Sequence, residues 1–280
     1  YTELLWFFEG FTSYYDDLLL MRSGLVAPPR YLALLAKTIT AVLASPGRHV
    51  QSVAAASFDA WVKYYRADEN TPNATVSYYA KGALVALALD LSLRSEGRGS
   101  LDDVMRRLWQ QSDGGPIAEA DIAGALETVG GRSYAGELAA WVHGTDDLPL
   151  ESLFERFAVA WQRQPATLAQ RLGVRVGESA LTGVKVTHVL QGGAGQRAGL
   201  AAGDELLALG GWRLRRLDDG QRCLAPEGPT PLLVARDQRV ISLALDARDL
   251  APAGDGAVTL LPAERPAAAA RALYEAWTAG

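Results

Sequence analysis

The sequence predicts an α + β, multidomain chain: an α-helical domain over residues 1–164, a small β-rich domain over 165–248, and a linker plus C-terminal helix over 249–280. Three observations predict it. Up to Gln164, apolar residues recur at helical spacing between Pro- and Gly-containing breaks. After Gln164-Pro165 the pattern changes to short alternating or β-branched runs separated by glycine-rich turns. A Pro/Gly/Ala-rich stretch from Leu250 to Pro262 then leads to an alanine-rich helix.

Residues 2–23 read as one helix, ended by Ala27-Pro28-Pro29, because proline lacks the N–H a helix interior needs. A second helix runs from Arg30 to Ala44 and stops at Ser45-Pro46-Gly47, and residues 50–65 give a third. Asp68-Glu69-Asn70-Thr71-Pro72-Asn73 is a polar loop. The segment 76–94 is apolar on nearly every side, which places it at the centre of a bundle. Shorter helices follow at 100–111, 117–129, 133–142 and 150–163; Ser100 caps the first, with Asp102 and Asp103 on its positive end. Strands are expected at 172–176, 183–190, 205–209, 231–236 and 239–245. Residues 250–262 read as a linker or loosely packed arm, and Pro266 opens a helix to Trp277 from a first-turn position.

Composition excludes several classes. With 49% hydrophobic and 21% charged residues the chain is an ordinary globular sequence. A net charge of -5 argues against a nucleic-acid partner. No apolar run reaches the roughly 20 residues of a membrane span, since Glu9 and Asp90 interrupt the two best candidates. The single cysteine, Cys223, forbids an internal disulfide and suits cytoplasm and periplasm alike. Tyr1 opens the chain and Leu4-Leu5-Trp6-Phe7-Phe8 is already core-like, without the features of a signal peptide, so the chain reads as the back part of a longer one.

Candidate chemistry is sparse. His49, His143 and His188 have no H-E-x-x-H spacing, and scattered surface histidines are the simpler reading. Gly131-Arg132-Ser133-Tyr134-Ala135 lacks the closing glycine of a nucleophile elbow. Strand 184–190 followed by Gly193-Ala194-Gly195-Gln196-Arg197-Ala198 imitates a dinucleotide fingerprint, but Gly199 and Gly203 break the helix that must follow. Two residues stand out. Glu9, inside an apolar helix, is either a carboxylate in need of a cation or one member of a solvated stripe with Ser13, Asp16 and Asp17. Tyr79, at the mouth of the buried helix beside Tyr78 and Lys81, is either an oxyanion donor or a core tyrosine.

Two resemblances bear on these alternatives. Arg197-Ala198-Gly199-Leu200-Ala201-Ala202-Gly203-Asp204-Glu205-Leu206-Leu207-Ala208-Leu209-Gly210-Gly211 resembles the middle of a bacterial PDZ domain, with Gly210 where Asn or Asp is usual. Upstream, Arg171-Leu172-Gly173-Val174-Arg175-Val176 resembles its carboxylate-binding loop and first groove strand, so the backbone N–H groups of Leu172, Gly173 and Val174 are the expected cradle for a C-terminal peptide or an intramolecular segment. The helical part resembles the glycyl aminopeptidases, gluzincin zinc peptidases with thermolysin-like C-terminal helices and an appended PDZ domain. Glu9, in Leu5-Trp6-Phe7-Phe8-Glu9-Gly10-Phe11-Thr12-Ser13-Tyr14-Tyr15-Asp16-Asp17, matches the family's glutamate zinc ligand. Tyr79, in Tyr79-Ala80-Lys81-Gly82 after the Asp68–Asn73 run, matches the tyrosine that stabilises the tetrahedral intermediate.

The resemblance implies a parent zinc aminopeptidase, in which Zn2+ activates water against peptide substrates with small N-terminal residues such as glycine. The family's H-E-x-x-H is not in these residues, so this chain alone is expected to hold no zinc and to be inactive. The alternative is a non-catalytic, PDZ-containing peptide-binding scaffold.

Overall fold

A computed structural model describes residues 1–181 and 183–279; Thr182 and Gly280, inside the expected small domain and at the end of the chain, lie outside the described residues. Helices α1 (Leu5–Arg22), α2 (Pro28–Leu43), α3 (Val53–Phe58) and α4 (Thr71–Ala74) precede the central α5 (Tyr78–Ser95). Then come α6 (Leu101–Ser112), α7 (Glu119–Gly130), α8 (Ala135–Leu138) and α9 (Leu150–Arg156). Ser77 and Ser100 cap α5 and α6 by accepting from Ala80 and Asp103 N–H, and Asp103 closes a capping box.

α5 is buried on every side, and its interior residues from Leu84 to Leu89 are almost wholly shielded from solvent. The helix that lies closest to it is α1. A Cβ added to Gly82 would stand 2.6 Å from the Trp6 carbonyl oxygen, and one added to Gly10 would stand 2.6 Å from the Gly82 carbonyl carbon. Two glycines therefore let the backbones of α1 and α5 touch, a contact any side chain would prevent.

The third helix is shorter than the sequence predicts: it ends at Phe58, and residues 59–66 form turns and a short 3-10 segment. The helix expected at 150–163 also ends early. Ala158 takes a positive φ of 54°, and the chain continues as strand β1 (Val159–Arg163).

After α10 (Leu168–Leu172) the small sheet contains β2 (Val174–Ser179), β3 (Gly183–Val189), then the short helix α11 (Ala194–Arg197), β4 (Glu205–Leu209), β5 (Trp212–Arg213), β6 (Pro229–Arg236) and β7 (Arg239–Asp246). The path is β2-β3-β4-β6-β7, antiparallel, with β5 paired to β4. It encloses its own apolar core around Leu172, Val184, Leu206, Leu232 and Val234. Asp204 is fully buried there, and Arg236 answers it with Nε–Oδ1 and Nη2–Oδ2 bonds of 2.7 Å each, which offsets the desolvation of the carboxylate.

The segment expected to be a linker is instead structural. Strand β8 (Val258–Pro262) pairs antiparallel with β1, Trp161 opposite Leu260, although the whole small sheet lies between them in sequence. Helix α12 (Ala268–Ala279) then returns to the helical core, where Trp277 is completely buried. The Trp277 indole N–H donates to the Tyr14 hydroxyl at 3.0 Å, and Tyr14 donates to Asp90 Oδ2 at 2.7 Å. Asp90 also accepts from Arg94 Nε at 2.9 Å and Leu101 N–H at 2.7 Å, so this buried carboxylate is fully partnered. Arg22 and Arg94 donate to the carbonyls of Trp277 and Ala276, placing positive charge on the last turn of α12. No helix among the described residues is long and apolar enough to cross a membrane.

Candidate functional site

Glu9 lies on α1 one residue before the Gly10–Gly82 contact, and Tyr79 lies one turn before it on α5. The close approach of the two helices therefore sets both residues on one patch. The Glu9 carboxylate is half-buried, and its charge acts on the phenols of Tyr79 and Tyr65. The Glu9 side chain makes no hydrogen bond or ion pair among the described residues; only its backbone carbonyl is engaged, by Thr12 and Ser13.

Three tyrosines complete the patch. The Tyr79 and Tyr65 hydroxyls are 3.3 Å apart, and Tyr78 donates to Tyr65 at 3.3 Å. The bond with Tyr65, burial and the Glu9 charge push the Tyr79 hydroxyl up to about 12 against an opposing bond with Tyr78. Burial, followed by the Tyr65 bond, raises Tyr78, while the bonds from Tyr78 and Tyr79 lower Tyr65. At neutral pH Tyr79 is thus a protonated phenol, able to donate to an oxygen that gains negative charge. Tyr65 is the member that sequence reading missed. It sat in a stretch read as helix, and the pairing of Tyr64-Tyr65 with Tyr78-Tyr79 was its only trace.

The patch carries exposed apolar surface. Trp61, 63% exposed, stacks on Tyr65 with ring centroids 5.1 Å apart, and Phe8 beside Glu9 is 46% exposed. This apolar surface beside an unpartnered carboxylate makes the patch the candidate binding surface of the helical part. Lys81, grouped with the tyrosines in sequence, points elsewhere. It is buried, its Nζ donates to the Asp146 carbonyl at 3.3 Å, and burial lowers its pKa.

Zinc needs about four donors. Among the described residues no three of His, Cys, Asp and Glu come together, so this chain's residues do not fit the metal by themselves; Glu9 offers one donor. Replacing Glu9 with Gln is therefore expected to leave the unfolding midpoint unchanged or slightly higher, by thermal melting followed by circular dichroism. A clear fall would reveal a partner for the carboxylate.

The expected carboxylate cradle lies at the end of α10. Leu172 is the last residue of that helix, and Gly173 closes it in the left-handed conformation at φ 68°. The Gly173 N–H donates to Gln170 at 3.1 Å, and its carbonyl accepts from Leu190 N–H at 2.8 Å. Val174 begins β2 and is buried. The chain's own Ala251 N–H donates to the Arg171 carbonyl at 2.9 Å, so a returning segment already runs beside this loop.

The helical part and the small sheet each match a family model, and together these matches mark a peptidase-related protein. Residues 1–85 match the family model of the M61 glycyl aminopeptidases, and residues 161–223 match that of the PDZ domain. The crystal structure of the aminopeptidase N family protein from Idiomarina loihiensis is similar over 99% of this chain, with 31% identity and a TM-score of 0.87. The chain spans 49% of that protein. The HtrA3 PDZ domain bound to a phage-derived ligand is 17% identical, over 37% of this chain and 90% of that one, with a TM-score of 0.23. No curated protein matches the chain.

Proposed function

We propose that this chain is the C-terminal portion of a zinc-dependent aminopeptidase resembling the glycyl aminopeptidases, with Glu9 one metal ligand and Tyr79 the oxyanion donor. The observation that carries the reading is the convergence of Glu9 and Tyr79 on one half-buried patch, although 70 positions separate them. The remaining zinc ligands and the facing wall of the cleft would come from polypeptide outside these residues, in line with a chain that spans about half of its structural relative. In the complete site the chain's own part is limited. Glu9 would supply one carboxylate, and Tyr79 would donate its proton-bearing hydroxyl toward the substrate carbonyl oxygen. The exposed Trp61–Tyr65 pair would flank the peptide. The PDZ domain would hold a peptide or an intramolecular segment.

The test is to join this chain to its own upstream coding sequence and assay release of N-terminal glycine with and without zinc. Zinc-dependent release, lost in Glu9→Gln and reduced by about 10²–10³ in Tyr79→Phe, is the expected result. The chain without that sequence should bind no zinc by titration calorimetry and release no glycine. A full-length protein that binds no zinc, or whose activity ignores Glu9, would leave the non-catalytic PDZ scaffold as the better reading.

A further inference from the structure

Between α4 and β3, the Asn73 carboxamide reads a stretch of PDZ backbone. Its Nδ2 donates to the Val189 carbonyl at 2.9 Å, and its Oδ1 accepts from Gln191 N–H at 2.9 Å. Both functions of one amide are matched, as a neighbouring strand would match them. Among the described residues, Asn73 is the side chain through which residues 68–77 hydrogen-bond the PDZ strands. The same Asn73 Nδ2 also donates to Asn70 Oδ1 at 3.2 Å, inside its own loop.

What Asn73 holds leads directly to the site. Two residues on, Thr75 backbone lies so close to Gly47 that a Cβ there would stand 2.2 Å from the Thr75 carbonyl oxygen. Ser77 then caps α5, whose first residues are Tyr78 and Tyr79. On the PDZ side, Leu190 N–H donates to the Gly173 carbonyl, so the backbone that Asn73 grips is bonded in turn to the end of α10. The approach to α5 is thus held between Gly47 and the PDZ domain.

We propose that Asn73 is a positioning residue through which the PDZ domain sets the placement of the Tyr79 hydroxyl. The role rests on the reading of Tyr79 given above, yet its test does not depend on that reading, because it follows the hydroxyl and not the reaction. Engagement or withdrawal of the PDZ backbone at 189–191 is transmitted to the tyrosine cluster, and the PDZ domain becomes part of the site's geometry instead of a passive appendage.

The experiment uses the whole chain with tyrosine labelled at the hydroxyl-bearing ring carbon, followed by NMR, with Tyr79→Phe and Tyr65→Phe assigning their signals. Asn73→Asp and Asn73→Ala are compared with the unmodified protein at neutral pH. Both should shift the Tyr79 and Tyr65 signals and speed exchange of the Gln191 amide at least about fivefold, while Tyr14 and Tyr134, distant in the core, stay fixed. In N73D the ionised carboxylate opposes the Val189 carbonyl; protonated, it can donate again. Lowering the pH through the carboxylate range should return the N73D signals toward those of the unmodified protein and leave N73A displaced. The charged groups around the contact, Asp68 and Glu69 on the loop with His188 and Arg175 on the PDZ strands, are common to all three proteins, so the unmodified profile subtracts them. Tyr79 and Tyr65 signals unmoved in both variants, movement of all tyrosines together, or an N73D response indifferent to pH would each overturn the proposal.

Discussion

Replacing Trp277 with alanine is expected to destabilise the protein by about 3–5 kcal/mol, the range for deleting a large buried aromatic. Three residues from the C-terminus, such a loss would be out of place if the end of the chain were an appendage. It is not: the ring is fully buried and packs against Tyr31 at 5.6 Å, Phe157 at 6.0 Å and Phe154 at 6.2 Å between centroids. Its N–H also completes the chain Trp277, Tyr14, Asp90, so the substitution removes a donor from a buried hydroxyl as well as opening a cavity. Trp277→Phe keeps most of the ring and loses the donor, and should cost about 1–3 kcal/mol. Urea unfolding followed by far-UV circular dichroism reads both. A loss below about 1 kcal/mol for the alanine variant would mean that α12 does not belong to the helical core.

Gly82→Ala should be destabilising by about 1–3 kcal/mol, opposite in sign to the usual result for a helical glycine. Helix propensity alone favours alanine by about 1 kcal/mol. At Gly82 that gain is overwhelmed, because the new Cβ would meet Trp6 O at 2.6 Å and Gly10 Cα at 3.1 Å, both backbone atoms that cannot turn aside. Helices α1 and α5 must separate, and Glu9 moves away from Tyr79. Gly124, in α7, is the internal control: a Cβ there meets nothing within 4 Å, so Gly124→Ala should stabilise by about 1 kcal/mol. Melting curves of the two variants shifted in the same direction would refute the close helix contact.

Helices governed by local signals were legible from the sequence. Proline at 28, 29 and 46, the Ser100 cap and the largely apolar run of α5 are all local, and the structure places helix ends beside them. The five main strands of the small sheet were visible for the same reason, as short β-branched or alternating runs bounded mostly by glycine-containing turns. Strand β1 was not. Val159-Ala160-Trp161-Gln162-Arg163 has no alternation strong enough to declare itself, and it is a strand because Val258–Pro262 lies alongside. Nearly a hundred positions intervene, and no local propensity encodes that pairing. The same blindness turned β8 into a linker.

The candidate site divides in the same way. Glu9 and Tyr79 stood out in the sequence through the motifs around them, while their meeting on one patch came from the Gly10–Gly82 approach. Tyr65 and Asn73 carried no motif of their own. One acquired its place by lying within 3.3 Å of two other phenols, the other by two 2.9 Å bonds to backbone across the boundary.

By itself, then, the sequence determined the α + β class, most helices and strands, and the two residues whose chemistry is worth testing, because these depend on neighbours within a few positions. Only the tertiary structure decided that the C-terminal strand and helix close the helical core, that Glu9 faces a cluster of phenols, and that the PDZ domain grips the loop behind Tyr79. Each of those rests on a contact between residues far apart in the chain, where shape and hydrogen-bond matching in three dimensions, not local preference, select the partner.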